Sequence, residues 1–149
     1  MIVKLDLHNK EITQNILDVQ IPSYKVEAEL INFDGIPQLN DTVENISESP
    51  EIFMGYYINH ELVAFISFDM NENEIEICRL VVHPNHFRKG IGKKLVEYVI
   101  KEISKDKKVI VSTGQKNFPA KKLYEFFGFK EVKNIEVATD VYITLLELN

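Results

Sequence analysis

The stretch that most limits what this chain can fold into runs from Leu80 to Val99. Leu80, Val81 and Val82 end an apolar run rich in β-branched residues, the pattern of a buried strand. Pro84 stops that strand, because proline has no N–H to continue a ladder. The basic turn Arg88-Lys89 follows, then Gly90-Ile91-Gly92, and from there Ile91, Leu95, Val99 and Ile103 recur every fourth residue as on one face of a helix. A strand therefore passes through a short basic Gly-x-Gly loop straight into a helix. Glycines let backbone amides come close to a ligand, and the free amides of a helix's first turn attract an anion. Arg88, Lys89, Lys93 and Lys94 add positive charge around the opening. The local chemistry is that of a phosphate site. Two common phosphate motifs do not fit it: a P-loop needs Ser or Thr after its lysine, where Lys94 stands, and a dinucleotide fingerprint needs a third glycine, where Leu95 stands.

The positive site is local. The 149 residues carry a net charge of -6, which argues against a general nucleic-acid binder and makes the basic loop stand out. The length and the 45% hydrophobic content suit one domain, residues 1–149, with a sizeable core. No apolar run is long enough to span a membrane, and Met1 to Asp6 lacks the charged start and apolar centre of a signal peptide. The single cysteine, Cys78, permits no internal disulfide and agrees with a reducing, cytoplasmic setting. His8, His60, His83 and His86 show no metal-ligand spacing, so no metal is expected.

Taken in order, Ile2 to Leu7 alternates as a strand, and Glu11 to Gln20 has helical spacing that Pro22 is expected to break. Ser23 to Ile31 alternates like a strand but has the Ala, Glu, Lys and Leu content of a helix, and that content predicts a helix. Asp41 is placed to cap a short helix reaching about Ser47, with Glu44 completing a capping box. A meander of strands follows at Ile52–Ile58, Leu62–Met70 and Ile75–Val82, with polar turns between them. After the helix from Gly90 to about Ser104 come a strand at Val109–Thr113 and a short helix at Phe118–Phe127. Strands at Phe129–Val132 and Val141–Leu148 close the chain. The expected fold is mixed α/β: a largely antiparallel sheet of six to seven strands flanked by helices.

Two motifs make this chain resemble the GNAT superfamily of N-acetyltransferases. One is Leu80-Val81-Val82-His83-Pro84 followed by Gly90-Ile91-Gly92, matching in type and spacing that family's strand-to-helix motif. It departs at Phe87, where the family usually has Gln or Arg. The other is Asn117, Ala120, Leu123-Tyr124 and Gly128-Phe129, a full match to the family's second motif. The resemblance implies direct acetyl transfer from acetyl-CoA to an amine, with no acyl-enzyme. It implies that the strand at Leu80, Val81 and Val82 pairs with the pantetheine arm. It also implies that backbone amides of the loop Phe87, Arg88, Lys89, Gly90, Ile91, Gly92 and Lys93 hold the pyrophosphate, and that Asn117 touches the arm from the other side. The partner would be a small-molecule or peptide amine, and the family's exposed late strands make a homodimer possible. A CoA-binding module without catalysis, acting as sensor or interaction partner, is the alternative.

The resemblance gives Tyr124 the role of general acid toward the departing thiolate; reference values near 10 and 8.5 suggest a close match between donor and acceptor. It gives Glu76 the role of general base toward the amine, set against a plain solvated strand glutamate. Strand alternation would put Glu76 on the face of Cys78, Leu80 and Val82. Ser112, at another common base position, has no acid to offer. Tyr24, Glu27 and Glu29 fall where that family shapes its acceptor site; their carboxylates suit a cationic amine, though a solvated face is the simpler expectation.

Overall fold

The computed structural model describes all 149 residues. Seven strands form one sheet: β1 (Ile2–Lys4), β2 (Ile52–Ile58), β3 (Glu61–Met70), β4 (Glu74–Val82), β5 (Lys108–Gly114), β6 (Lys130–Ala138) and β7 (Val141–Leu148). Their order across the sheet is β1-β2-β3-β4-β5-β7-β6, and every pair is antiparallel except β4 with β5. Four α-helices flank the sheet: α1 (Lys10–Ile31), α2 (Val43–Ser47), α3 (Ile91–Tyr98) and α4 (Phe118–Phe126). The expected mixed fold is the observed one, with seven strands. None of the helices is long and apolar enough to cross a membrane.

The sheet separates two apolar cores. On one face Ile66, Phe68, Ile75 and Ile77 pack with Leu95 and Val96 of α3 and Tyr124 of α4. On the other, Phe53, Phe65 and Val81 pack with Ile16, Leu17 and Tyr24 of α1 and Ile46 of α2. Asn59 and His60 both take positive φ, giving the tight hairpin between β2 and β3 that the sequence suggests.

Several local expectations are corrected. The first strand ends at Lys4 rather than Leu7. Pro22 does not break the first helix: α1 runs unbroken for 22 residues, also settling Ser23–Ile31 as helix. Proline inside a helix costs about 3 kcal/mol or more, from one lost hydrogen bond and a clash with the preceding turn. Burial of Ile16, Leu17 and Val19 before it and Tyr24 after it outweighs that cost. The carbonyl left without a partner belongs to exposed Asp18, on the water side. The cap of α2 is Thr42, not Asp41, and its capping box is completed by Asn45, not Glu44. Asp41 is drawn instead to Arg79. The helix expected to Ser104 is α-helical only to Tyr98 and continues as wider turns over Val99–Ser104, where Ser104 Oγ donates back to the Ile100 carbonyl at 2.6 Å. The penultimate strand is nine residues rather than four, because pairing with β7 carries it to Ala138 although none of its residues is buried.

Candidate active site

The site begins where two neighbouring strands part. β4 pairs with β5 from Glu74↔Lys108 to Ile77↔Val111 and no further. Beyond that point β5 stays with β7, while β4 keeps β3 on one side, from Arg79↔Ser67 to Val82↔Ala64. The other edge of Cys78–Val82 is open. A cavity of about 530 Å³ fills the gap and is reached from both faces of the sheet: Tyr24 and Glu27 of α1 line it, and so do Ala120 and Tyr124 of α4.

At one end the site is made of backbone. β4 ends at Val82, the His83 amide still donates to the Val63 carbonyl at 2.8 Å, and Pro84 to His86 form one tight turn. Phe87 is extended and 41% exposed, so it offers an apolar surface at the rim. Arg88 at φ +64 and Gly90 at φ +76 turn the chain into α3. No side chain caps α3; its first turn closes with the Lys94 amide on the Gly90 carbonyl, which leaves the amides before Lys94 outside that bond. Gly90 is required by its left-handed φ. Gly92 is under no such demand: a Cβ there would meet Leu123, Leu80 and Val82 at 3.5–4.0 Å, ordinary contact distances. Lys89 is held at 3.0 Å from His86 Nδ1, and Lys93 lies over the Phe126 ring at 3.9 Å. An open strand edge leading into an uncapped, basic helix start fits a ligand with an extended amide-bearing arm and a pyrophosphate.

At the other end the site is made of side chains, and a bulge decides which. Ile77 pairs with Phe68 and Arg79 with Ser67, so Cys78 is an extra residue in β4. The extra residue reverses the alternation. Before it Ile75 and Ile77 face the α3 core; after it Leu80 and Val82 do. Glu76 therefore lies on the opposite face from Leu80 and Val82, with Arg79 and Val81 and opposite Asp69, which corrects the simple alternation. Its carboxyl is exposed at the cavity and titrates above the usual range, because of desolvation and the nearby charges of Asp69, Glu74 and Glu51. Burial and the Glu51, Asp69 and Glu76 charges push the Cys78 thiol up to about 12, so it is no thiolate nucleophile.

The same bulge turns Arg79 inward. Its Nη1 donates to Gln20 Oε1 and Asp41 Oδ2, both at 2.9 Å. Nε lies 3.2 Å from Glu51 Oε1, close enough for ion-pair attraction but too poorly aligned for a hydrogen bond. Gln20 also donates to the Gln38 carbonyl at 3.0 Å, so the network ties α1 and the loop after it to β4. That loop supplies Phe33, Ile36 and Pro37 to the cavity wall.

Asn117, expected against the cofactor arm, caps α4: its Oδ1 accepts from the Ala120 amide at 3.2 Å, and its Nδ2 donates to Glu27 Oε1 at 3.2 Å. It lines the cavity, but its side chain is already engaged. Glu27 forms no ion pair; burial raises its pKa, partly opposed by the Asn117 hydrogen bond. Tyr124 is 3% exposed and Tyr24 8% exposed; both line the cavity and neither hydroxyl bonds to another protein group. Burial, then the Glu27 charge, drive the Tyr124 hydroxyl well above its ordinary value, so the expected close match with a thiol is not present. Ser112 lines the cavity as well. The structure thus brings together Glu76, Leu80, Asn117 and Tyr124 around one space, with the basic loop set apart along the β4 edge.

Glu27 and Tyr24 carry more of this site than the sequence suggested. They stand three residues apart, about one turn of the expected helix, and what the sequence did not show is that this turn faces the cavity rather than solvent. Nothing local to Arg79 or Asp41 signalled their network.

The sequence pattern described as "Acetyltransferase (GNAT) family" matches residues 14–129. The UPF0157 protein YqkA of Bacillus subtilis (strain 168) is 42% identical over 144 residues, which are 95% of this chain and 42% of that protein. The chain thus spans less than half the length of this curated relative. Among solved structures, the ribosomal-protein-S18-alanine N-acetyltransferase from Escherichia coli superposes with a TM-score of 0.78 at 18% identity, covering 99% of this chain and 92% of that one. The PaiA N-acetyltransferase from Thermoplasma acidophilum, in complex with coenzyme A, gives 0.71 at 22% identity, covering 97% and 98%. At those identities the structural likeness speaks for the fold.

Proposed function

The chain belongs to the acetyltransferase (GNAT) family, and from that premise we propose that it moves the acetyl group of acetyl-CoA to a primary amine. The observation that carries this reading is the unpaired edge of Cys78–Val82 leading directly into the uncapped start of α3. When bound, acetyl-CoA supplies an activated acyl carbon and a thiolate leaving group. The edge of Leu80 to Val82 offers backbone partners for the extended arm. The amides from Phe87 to Lys93, with Arg88, Lys89 and Lys93 around them, offer donors and charge to the pyrophosphate. At the cleft, Glu76 takes a proton from the acceptor's ammonium, directly or through water, and so frees the lone pair with which the amine attacks the acyl carbon. Its raised pKa makes it a better proton acceptor than an ordinary carboxylate, and its exposure lets the proton leave to solvent. Tyr124 lines the cavity with its hydroxyl unpartnered and protonated, in place to give its proton to a thiolate, although burial and the Glu27 charge make it a weaker acid than an ordinary tyrosine. Asn117 holds the start of α4 and so fixes where Tyr124 stands.

The test is thiol release from acetyl-CoA across a panel of amines, beside a thermal-shift measurement with acetyl-CoA alone. Amine-dependent release with stabilisation is the expected result. Stabilisation with no release for any amine would favour the non-catalytic CoA-binding alternative, and neither effect would remove both.

A further inference from the structure

The cavity's charges select among amines. Its only lining cation is Arg79, and that guanidinium is already engaged by Asp41 and Glu51. Two lining carboxylates, Glu27 and Glu76, have no cationic partner. Glu27 is the more costly of the two, being largely enclosed with a single hydrogen bond, from Asn117. Beside it Tyr24 and Tyr124, buried residues that line the same space, have hydroxyls with no protein hydrogen-bond partner. An enclosed carboxylate, two unfilled tyrosine hydroxyls and aromatic walls from Tyr24, Phe33 and Tyr142 are the chemistry that receives an ammonium. An acceptor bearing a carboxylate finds no free cation here and meets two like charges.

Resting on the acetyl-transfer reading, we propose that the acceptor is an aliphatic diamine, its two nitrogens divided between Glu27, flanked by Tyr24 and Tyr124, and Glu76. The nitrogen at Glu76 loses a proton and reacts; the nitrogen at Glu27 stays an ammonium and anchors the molecule. The apolar spacer lies against Ile31, Phe33 and Ile36. A cation at Glu27 also offsets the negative charge that, after burial, holds the Tyr124 proton most tightly. Filling the anchor thus makes Tyr124 a better proton donor.

The experiment compares 1,4-diaminobutane and its longer homologues with n-butylamine and with glycine, using wild type and Glu27→Gln. Gln keeps an oxygen to accept from Asn117, so the α1–α4 link survives while the charge is lost. Binding is followed by calorimetry in the presence of CoA, and turnover by thiol release. The expected result is a diamine KM about ten- to a hundredfold below that of n-butylamine, the size of one charged contact. Glu27→Gln should erase that difference by raising the diamine KM, with kcat little changed and the thermal shift by acetyl-CoA retained. Glycine should be a poor acceptor. Diamine binding that depends on Glu27 without any thiol release would uphold the anchor and overturn the acetyl-transfer reading. Turnover of glycine or n-butylamine as efficient as that of the diamines would overturn the proposal and leave acetyl transfer standing. An unchanged KM ratio in Glu27→Gln would also overturn it.

Discussion

The two ends of this site are built from different material. The end along β4 and α3 is backbone: an open strand edge, a left-handed Gly90, and amides at a helix start that no side chain caps. The end inside the cavity is side chain, assembled from α1, β4 and α4 across the gap between strands. Backbone sites constrain only a few positions, chiefly glycines and the proline that stops the strand, and leave their neighbours free. That is how Phe87 can stand where the family usually has Gln or Arg. Side-chain sites are the reverse: each residue has a distinct task, and one change alters the chemistry.

The contrast predicts that substitutions of the cavity's proton-transfer residues, Tyr124 and Glu76, act on rate and those in the loop on acetyl-CoA affinity. The largest effect belongs to Tyr124→Phe. The ring keeps its packing against Phe129, at 5.3 Å between centroids, and loses only the proton. Turnover should fall by about 10²–10⁴-fold, the usual worth of general acid catalysis, with acetyl-CoA affinity within a few-fold of wild type. Loss of binding as severe as loss of turnover would break the division between the two ends.

Glu76→Gln comes next, with a turnover loss of about 10²-fold. Its pH dependence has a definite sign. Because the carboxyl titrates above its ordinary value, wild-type turnover should climb with pH through that raised value as the base loses its proton. The ratio of wild type to mutant should be largest above it, while the amine is still an ammonium. The ratio should narrow where the amine, with a reference value of about 10, deprotonates by itself. A ratio that does not vary with pH would make Glu76 a bystander at the cavity mouth.

Gly90→Val tests the other end and should have the smallest effect of the three. A β-branched residue at φ +76 costs about 1–3 kcal/mol of backbone strain, and relaxing it turns the amides away. A tenfold loss of affinity would reduce the stabilisation at one hundred times the wild-type dissociation constant from about 2.7 to about 1.4 kcal/mol. With saturating acetyl-CoA, turnover should recover. Failure to recover would show that the loop takes part in the chemistry.

The same difference in material explains what the sequence disclosed. Leu80 to Gly92 was legible because a strand end, a proline stop and a glycine turn each leave a local mark. The Asn117–Phe129 motif was legible too, although it did not show that Asn117 spends its side chain on Ala120 and Glu27. The bulge at Cys78 left no mark, since nothing in Glu76 to Val82 distinguishes an extra residue from regular alternation, and it alone decides which face Glu76 and Arg79 occupy. Pro22 misled for a related reason. The burial that holds α1 together is a long-range property, and a helix breaker is read locally. Glu27 looked like a solvated glutamate until α4 and the loop after α1 closed over it.

Amide hydrogen exchange with and without acetyl-CoA tests the division most directly. Acetyl-CoA should protect amides on the open edge of Cys78–Val82 and at the start of α3, from Arg88 to Lys93. Amides of β6, at the far edge of the sheet, should exchange unchanged. Protection that skips both Cys78–Val82 and Arg88–Lys93, or falls instead on β6, would contradict a backbone-built cofactor end.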